Sequence, residues 1–299
     1  MTHIEFDKVS RKYVGSFNGK VVVKSTNQYY VKRKMASYTE AVTAFVPTPK
    51  CSDEFGINKR FEFLNKMVGM VASKVLPSAV IAGQGGLGKT HSVLSTLNNA
   101  GLVNITDLDE FEEGARLFLS KCYRVVKGYS TAKGLYRTLF ECNNMVVVFD
   151  DCDSVLKDPI ALNILKGALD SYSDRYISWN ADMRDEDLPR SFKFTGQVVF
   201  ITNMDLERID QAIRSRCLCV DLSMTEEQKL ERMDVIVKEP SFLKEYDTAV
   251  KEEALKFLKE EMFGKAVNLT LRSLISTIKI AATGDDWKSL AKYVLTQGA

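Results

Sequence analysis

No stretch of this chain approaches the roughly 18 consecutive apolar residues that a membrane-spanning helix needs, and residues 1–7 lack the basic start and apolar run of a secretory leader. Paired cysteines are missing too. Cys51, Cys122, Cys142, Cys152, Cys217 and Cys219 are scattered, and the two nearest have one residue between them where zinc and redox sites use two. A zinc knuckle is thereby excluded, and reduced thiols in a cytoplasmic protein with no membrane partner are the expectation. There is no internal repeat and no low-complexity tract. Neither sign of charge dominates: 41 Lys and Arg face 39 Asp and Glu, so net charge alone directs the molecule to no polyanion or membrane.

What is present is an ordinary globular balance, 45% hydrophobic and 27% charged over 299 residues, enough for about two domains. The charge is unevenly placed. Residues 1–50 hold nine Lys and Arg against three acids, which makes this segment the basic end of a mildly acidic chain. It reads as a small β-rich module with strands at 12–17, 20–24 and 28–33. Asn18-Gly19 supplies a tight hairpin turn, and a short helix is expected at 39–45. A Pro-containing linker follows at 46–53.

From Phe55 onward helices alternate with short apolar strands, the pattern of a parallel sheet covered by helices. Strands are expected at 79–82, at 103–106 or 123–126, at 145–149 and at 198–202. After Leu222 the β signal fades. Ser223-Met-Thr-Glu226 has the form of a capping box opening a helix, and helical periodicity runs through 255–263, 269–281 and 287–296. The expected organisation is therefore a module at 1–50, an α/β domain at 51–222 and a helical domain at 223–299.

Two segments carry chemistry. Gly83-Gln84-Gly85-Gly86-Leu87-Gly88-Lys89-Thr90 fits G-x-x-x-x-G-K-[ST] between an apolar strand and a helix that begins with His91. In that pattern backbone N–H groups curl around phosphates, the helix N-terminus adds its positive end, Lys89 reaches the outer phosphates of ATP, and Thr90 is a magnesium ligand. The second is Met145-Val-Val-Val-Phe149-Asp150-Asp151, an apolar strand that delivers carboxylates where open α/β sheets bind ligands. Asp150 is the expected metal ligand and Asp151 the residue that orients an attacking water.

At this point the chain resembles the AAA+ family of P-loop ATPases, from about Phe55 to the C-terminus. Three further segments extend the resemblance. Val198-Val-Phe-Ile-Thr202-Asn203 looks like the sensor-1 strand, implying that Asn203 bonds the γ-phosphate or the water. Ile209-Asp-Gln-Ala-Ile-Arg214-Ser-Arg216-Cys217 is similar to the segment that presents an arginine finger to a neighbouring subunit. Arg216, in a Ser-Arg-Cys context like that of clamp loaders, is the first choice and Arg214 the second. Leu269-Thr-Leu-Arg272 looks like the sensor-2 helix, implying that Arg272 reaches the same subunit's γ-phosphate. The resemblance implies a homo-oligomer, a hexameric ring, with a helical lid at the C-terminus. Its compact layout is similar to phage and mobile-element members.

Two departures stand out. The family usually has Glu after the metal-binding Asp; this chain has Asp151, one methylene shorter, and Asp153 is the alternative water-orienting group. Between that strand and Asn203, residues 171–196 form a long connection in which 175–179 and 191–195 either pair as a hairpin, resembling one in superfamily 3 helicases, or run as a solvated loop. A further pore-loop candidate is Lys127-Gly128-Tyr129-Ser130, whose Tyr129 either faces a threaded polymer or is buried against the domain. The basic first module, with Tyr13, Phe17, Tyr29 and Tyr30 among its cations, favours nucleic acid as partner. A protein client recruited by that module is the alternative.

Overall fold

The computed structural model describes residues 2–17, 20–43, 54–107, 118–171, 174–180, 188–265, 268–284 and 286–297, with backbone alone at 2, 17 and 36–43. The chain divides into two compact units, 1–54 and 55–299.

The first unit is an antiparallel sheet of β1 (Thr2–Asp7), β2 (Lys12–Phe17) and β3 (Lys20–Ser25), followed by α1 (Gln28–Thr43). The β2–β3 hairpin agrees with the sequence reading; its Asn18-Gly19 turn and the linker at 46–53 lie outside the described residues. Two corrections apply. Strand β1 is unforeseen, and 28–33 is the start of a helix rather than a third strand. Tyr29, Tyr30 and Val31 have strand propensity, but the Tyr30 amide donates to Asn27 Oδ1 at 3.2 Å, a helix-opening bond. Val31 and Met35, one turn apart, are buried against the sheet. Gly15 permits that approach, since a Cβ there would lie 2.6 Å from Met35 Cγ. The helix expected at 39–45 is the end of α1 as far as Thr43, and 44–45 lie outside the described residues.

The second unit opens with α2 (Ile57–Ala72) and then alternates: β4 (Ser78–Ala82), α3 (Lys89–Asn99), β5 (Val103–Asn104), β6 (Cys122–Lys127), α4 (Ala132–Glu141), β7 (Val146–Asp150) and α5 (Pro159–Ala168). A short antiparallel pair, β8 (Tyr176–Ser178) and β9 (Ser191–Lys193), leads to β10 (Gln197–Thr202), α6 (Gln211–Arg214) and β11 (Leu218–Asp221). Six strands form one parallel sheet in the order β11-β4-β10-β7-β6-β5. Strands β4, β7 and β10 are buried along their whole length, which is why they read as unbroken apolar runs. Both alternatives for the second strand, 103–106 and 123–126, carry strands, β5 and β6.

The segments 175–179 and 191–195 do pair, through Tyr176↔Lys193 and Ser178↔Ser191; the connection at 181–187 lies outside the described residues. The hairpin is pinned by the buried Arg175, whose guanidinium donates to Ala168 O and Gly196 O.

The last part is helical: α7 (Glu226–Val237), α8 (Thr248–Phe257) continuing as a π-turn to Met262, α9 (Leu271–Ala281) and α10 (Trp287–Gln297). They enclose their own core around Met233, Leu255, Leu258, Leu274 and Ile278. The capping box that opens α7 is Thr225 with Gln228, not Ser223 with Glu226, because Ser223 N is already taken by Asp221 Oδ1 at 2.8 Å. Such a cap stabilises a helix by about 1 kcal/mol. The buried Arg60 of α2 ties this part to the sheet, donating to Asp221 O, Ser223 O and Gln228 Oε1. No helix among the described residues is long and apolar enough to cross a membrane.

Candidate functional site

Strand order creates the site. Strand β10 lies between β4 and β7, with Thr202 level with Ala82 and Ile201 level with Asp150, so the residue after it enters the gap between two loops. One is the P-loop, Gly83 to Thr90, and the other begins at Asp150. Asn203 is the residue in that gap: its Oδ1 accepts from Lys89 Nζ at 3.0 Å and its Nδ2 donates to Asp151 Oδ1 at 2.7 Å.

Positive φ angles at Gly83, Gly86 and Gly88 bend the P-loop into a cradle. At Gly83 a Cβ would also stand 2.8 Å from the backbone carbon of Leu222, so glycine is required twice over. Lys89 is buried at 5% exposure, donating to Gly83 O, Gln84 O and Asn203 Oδ1. Burial lowers its pKa to about 8, even though Asp151, Asp150 and Asp153 pull the other way. Thr90 Oγ1 lies 3.0 Å from Asp150 Oδ1. Two hard oxygen ligands beside a cradle for phosphate are what magnesium commonly takes from protein, the rest of its shell being water and phosphate. Among the described residues no group of three His, Cys, Asp or Glu offers a self-sufficient metal cage.

Asp151 is held at φ 56°, a left-handed conformation that Asp tolerates. Its pKa is raised by burial and by Asp150, against the opposing pull of Lys89. Asp153 is engaged elsewhere, accepting from Thr202 Oγ1 at 2.6 Å, and is absent from the lining of the cavity that Asp150 and Asp151 face. That cavity, of about 420 Å³, is bounded by Gly85 to Ser92, including His91, by Asn203, and by Arg272 at the start of α9. The Leu271 amide donates to Gly86 O at 2.9 Å, fastening α9 to the P-loop.

Arg214 and Arg216 do not line this cavity. Arg214 Nε donates to Ile209 O, and Arg216 Nη1 to Ala212 O at 2.9 Å. Tyr129 is 82% exposed after β6, which removes the reading that buries it. The sequence reading missed the apolar wall of the cavity, which Ile236, Phe242, Leu271 and Ile275 supply together with Arg232, whose guanidinium lies 4.1 Å from the Phe61 ring centroid. Arg232 and Ile236 are one turn apart on α7, Leu271 and Ile275 one turn apart on α9, and Phe242 lies in the turn after α7, so each pair reads as an ordinary helix face and no contiguous motif joins them. The sequence reading placed Lys127 only in a pore-loop candidate; its Nζ lies 3.3 Å from Asp150 Oδ2.

No family model matches the chain. It is 28% identical over 254 residues to an uncharacterised 36.7 kDa protein of the nrdC-mobD intergenic region of Enterobacteria phage T4, covering 79% of this chain and 73% of that protein. Two crystal structures of NtrX from Brucella abortus, in complex with ADP and with ATP, superpose with TM-scores of 0.43 and 0.40 at 12% and 11% identity. They cover 86% and 85% of this chain, which spans only 56% and 57% of theirs.

Proposed function

We propose that the chain is a magnesium-dependent P-loop ATPase of the AAA+ type, acting as a homo-oligomeric ring on nucleic acid. The observation that carries the nucleotide reading is the convergence of Lys89, Thr90, Asp150, Asp151, Asn203 and Arg272 on one cavity, from four separate elements. In this reading the P-loop amides and Lys89 hold the β and γ phosphates, and the apolar wall from Ile236 to Ile275 takes the base. Thr90 and Asp150 would hold magnesium, which supplies charge neutralisation of the phosphates. Asp151 accepts the proton of the attacking water, and Asn203, bonded to both Asp151 and Lys89, fixes that water relative to the γ-phosphate. Arg272 stabilises charge on the transferred group within the subunit, and Arg216 does so from a neighbour.

The nucleic-acid assignment is supported by the first unit, where Tyr29 and Tyr30 are exposed on α1 beside the exposed Lys32 and Arg33. Cations that follow phosphates next to rings that stack on bases are the usual single-strand binding chemistry. The test is phosphate release from ATP by the full chain, with and without magnesium, single-stranded DNA, RNA or an unfolded protein. Magnesium-dependent turnover, abolished by Lys89→Ala and raised by DNA or RNA, is the expected result. Turnover in Lys89→Ala at the wild-type rate removes the nucleotide reading. Stimulation by the unfolded protein alone replaces the nucleic-acid partner with a protein client.

A further inference from the structure

A second cavity, of about 560 Å³, shares Gly85 and Arg272 with the nucleotide cavity but opens among different groups. Its polar lining is Gln84, Lys229, Asn268, Thr270, Arg272 and Ser273, with an apolar floor at Val294 and Leu295. It has two cations, two amides and two hydroxyls, and no carboxylate.

Lys229 is the informative residue. It sits on α7 at 7% exposure, and its ammonium makes one long hydrogen bond, to Asn268 Oδ1 at 3.4 Å. Among the described residues it forms no ion pair; Arg272 forms none either, although its charge pulls on Asp151 across the nucleotide cavity. The other buried lysines differ. Lys251 donates to Phe242 O at 2.7 Å, and Lys89 has three acceptors within 3.0 Å. Burying a cation without a counter-charge is unfavourable, so an ammonium left with two unused N–H groups in a cavity without acids is poised for an anion from outside. Asn268 turns its oxygen to Lys229, which leaves its NH₂ as a further donor. Thr270 and Ser273 cap α9 and bring the positive end of an 11-residue helix to the same wall.

We propose that this cavity is a second anion site, one that takes inorganic phosphate while a nucleotide occupies the P-loop. Lys229 and Arg272 supply the charge, and Asn268 and Thr270 supply neutral donors. The cavity is larger than one phosphate, so the ion binds partly hydrated. The inference rests on the nucleotide reading only for the source of the ion, the phosphate cleaved on the other side of Arg272.

The experiment is a titration of inorganic phosphate into the full chain, free and saturated with ADP and magnesium, followed by calorimetry and by phosphorus NMR. The wild type is expected to bind one phosphate per chain with ADP in place. Lys229→Met should weaken that binding roughly 10- to 100-fold, the loss of a charge-assisted hydrogen bond, and leave ADP affinity unchanged. Asn268→Asp is a nearly isosteric second variant that gives Lys229 an internal counter-ion, and it should weaken phosphate to a similar degree. Lys229→Arg should retain binding. Absence of phosphate binding in the ADP-saturated wild type, or binding unaltered in both Lys229→Met and Asn268→Asp, overturns the proposal. If ADP does not bind but phosphate does, in a Lys229-dependent way, the site stands and the nucleotide reading falls.

Discussion

Lys127 Nζ lies 3.3 Å from Asp150 Oδ2, so the carboxylate assigned to magnesium already has a cation of the protein beside it. Asp150 is 7% exposed and Lys127 66%, and the two residues are level on neighbouring strands. The ammonium offsets a buried carboxylate when nothing else does, and its long stem lets it leave. It is also the first residue of the Lys127 to Ser130 segment, whose Tyr129 stands in solvent.

Lys127→Gln should therefore lower the magnesium concentration that half-saturates turnover, by about three- to tenfold, the effect of removing one competing charge at a partly screened site. A magnesium titration of the ATPase rate at fixed ATP reads this directly. A midpoint equal to that of the wild type would mean that the pair has no part in metal entry.

Lys89 gives a pH dependence with a definite sign. Burial holds its pKa at about 8 in the free protein, so above that value most chains carry a neutral Lys89. Phosphate favours the charged form, and binding must then take up a proton. Affinity for ADP is expected to be flat below pH 8 and to fall above it, approaching tenfold per pH unit. Fluorescent ADP titrations from pH 6.5 to 9.5 check this, and an affinity that rises with pH contradicts it.

The two candidates for orienting water separate on geometry. Asp151 faces the cavity and is bonded to Asn203, whereas Asp153 is occupied by Thr202 Oγ1. Asp151→Asn should bind ATP normally and slow single-turnover hydrolysis about 10²- to 10⁴-fold, the usual contribution of a general base. Asp153→Asn should slow it far less, with a loss of stability of about 1 kcal/mol from the weakened bond to Thr202. Reversal of that order transfers the role to Asp153.

What the sequence makes legible is local. Gly83 to Thr90 is one contiguous loop between a strand and a helix, and Asp150 ends an apolar strand, so both follow from neighbouring residues. Asn203 is legible only as a strand end; its contact with Lys89 and Asp151 depends on β10 inserting between β4 and β7. Gln28 to Arg33 misleads because Tyr-Tyr-Val has strand propensity, and the deciding facts are an Asn27 cap and the Val31–Met35 face on a sheet. The apolar wall formed by Ile236, Phe242 and Ile275, and the meeting of Lys229 with Asn268, are long-range results of helix packing that no spacing rule reports.

Arg216 tests whether the site is completed by a neighbour. Its side chain does not line the cavity of this chain, with Nη1 on Ala212 O and Nε buried without a partner among the described residues. That leaves Nη2 as the group available to another chain. An arginine delivered in this way stabilises charge on the transferred phosphoryl group and contributes about 10³ to 10⁵ in rate in other enzymes. Arg216→Ala should accordingly keep its affinity for ATP and lose hydrolysis, while Arg214→Ala, whose Nε is tied to Ile209 O, should lose less. Mixing Arg216→Ala with Lys89→Ala should restore part of the activity, because the Lys89→Ala chain still offers Arg216 to an intact P-loop next door. Wild-type specific activity should rise with protein concentration as the assembly forms. If activity is independent of concentration and no mixture recovers it, Arg216 serves only its own subunit, through the Ala212 carbonyl, and the ring must be abandoned for a monomeric P-loop enzyme.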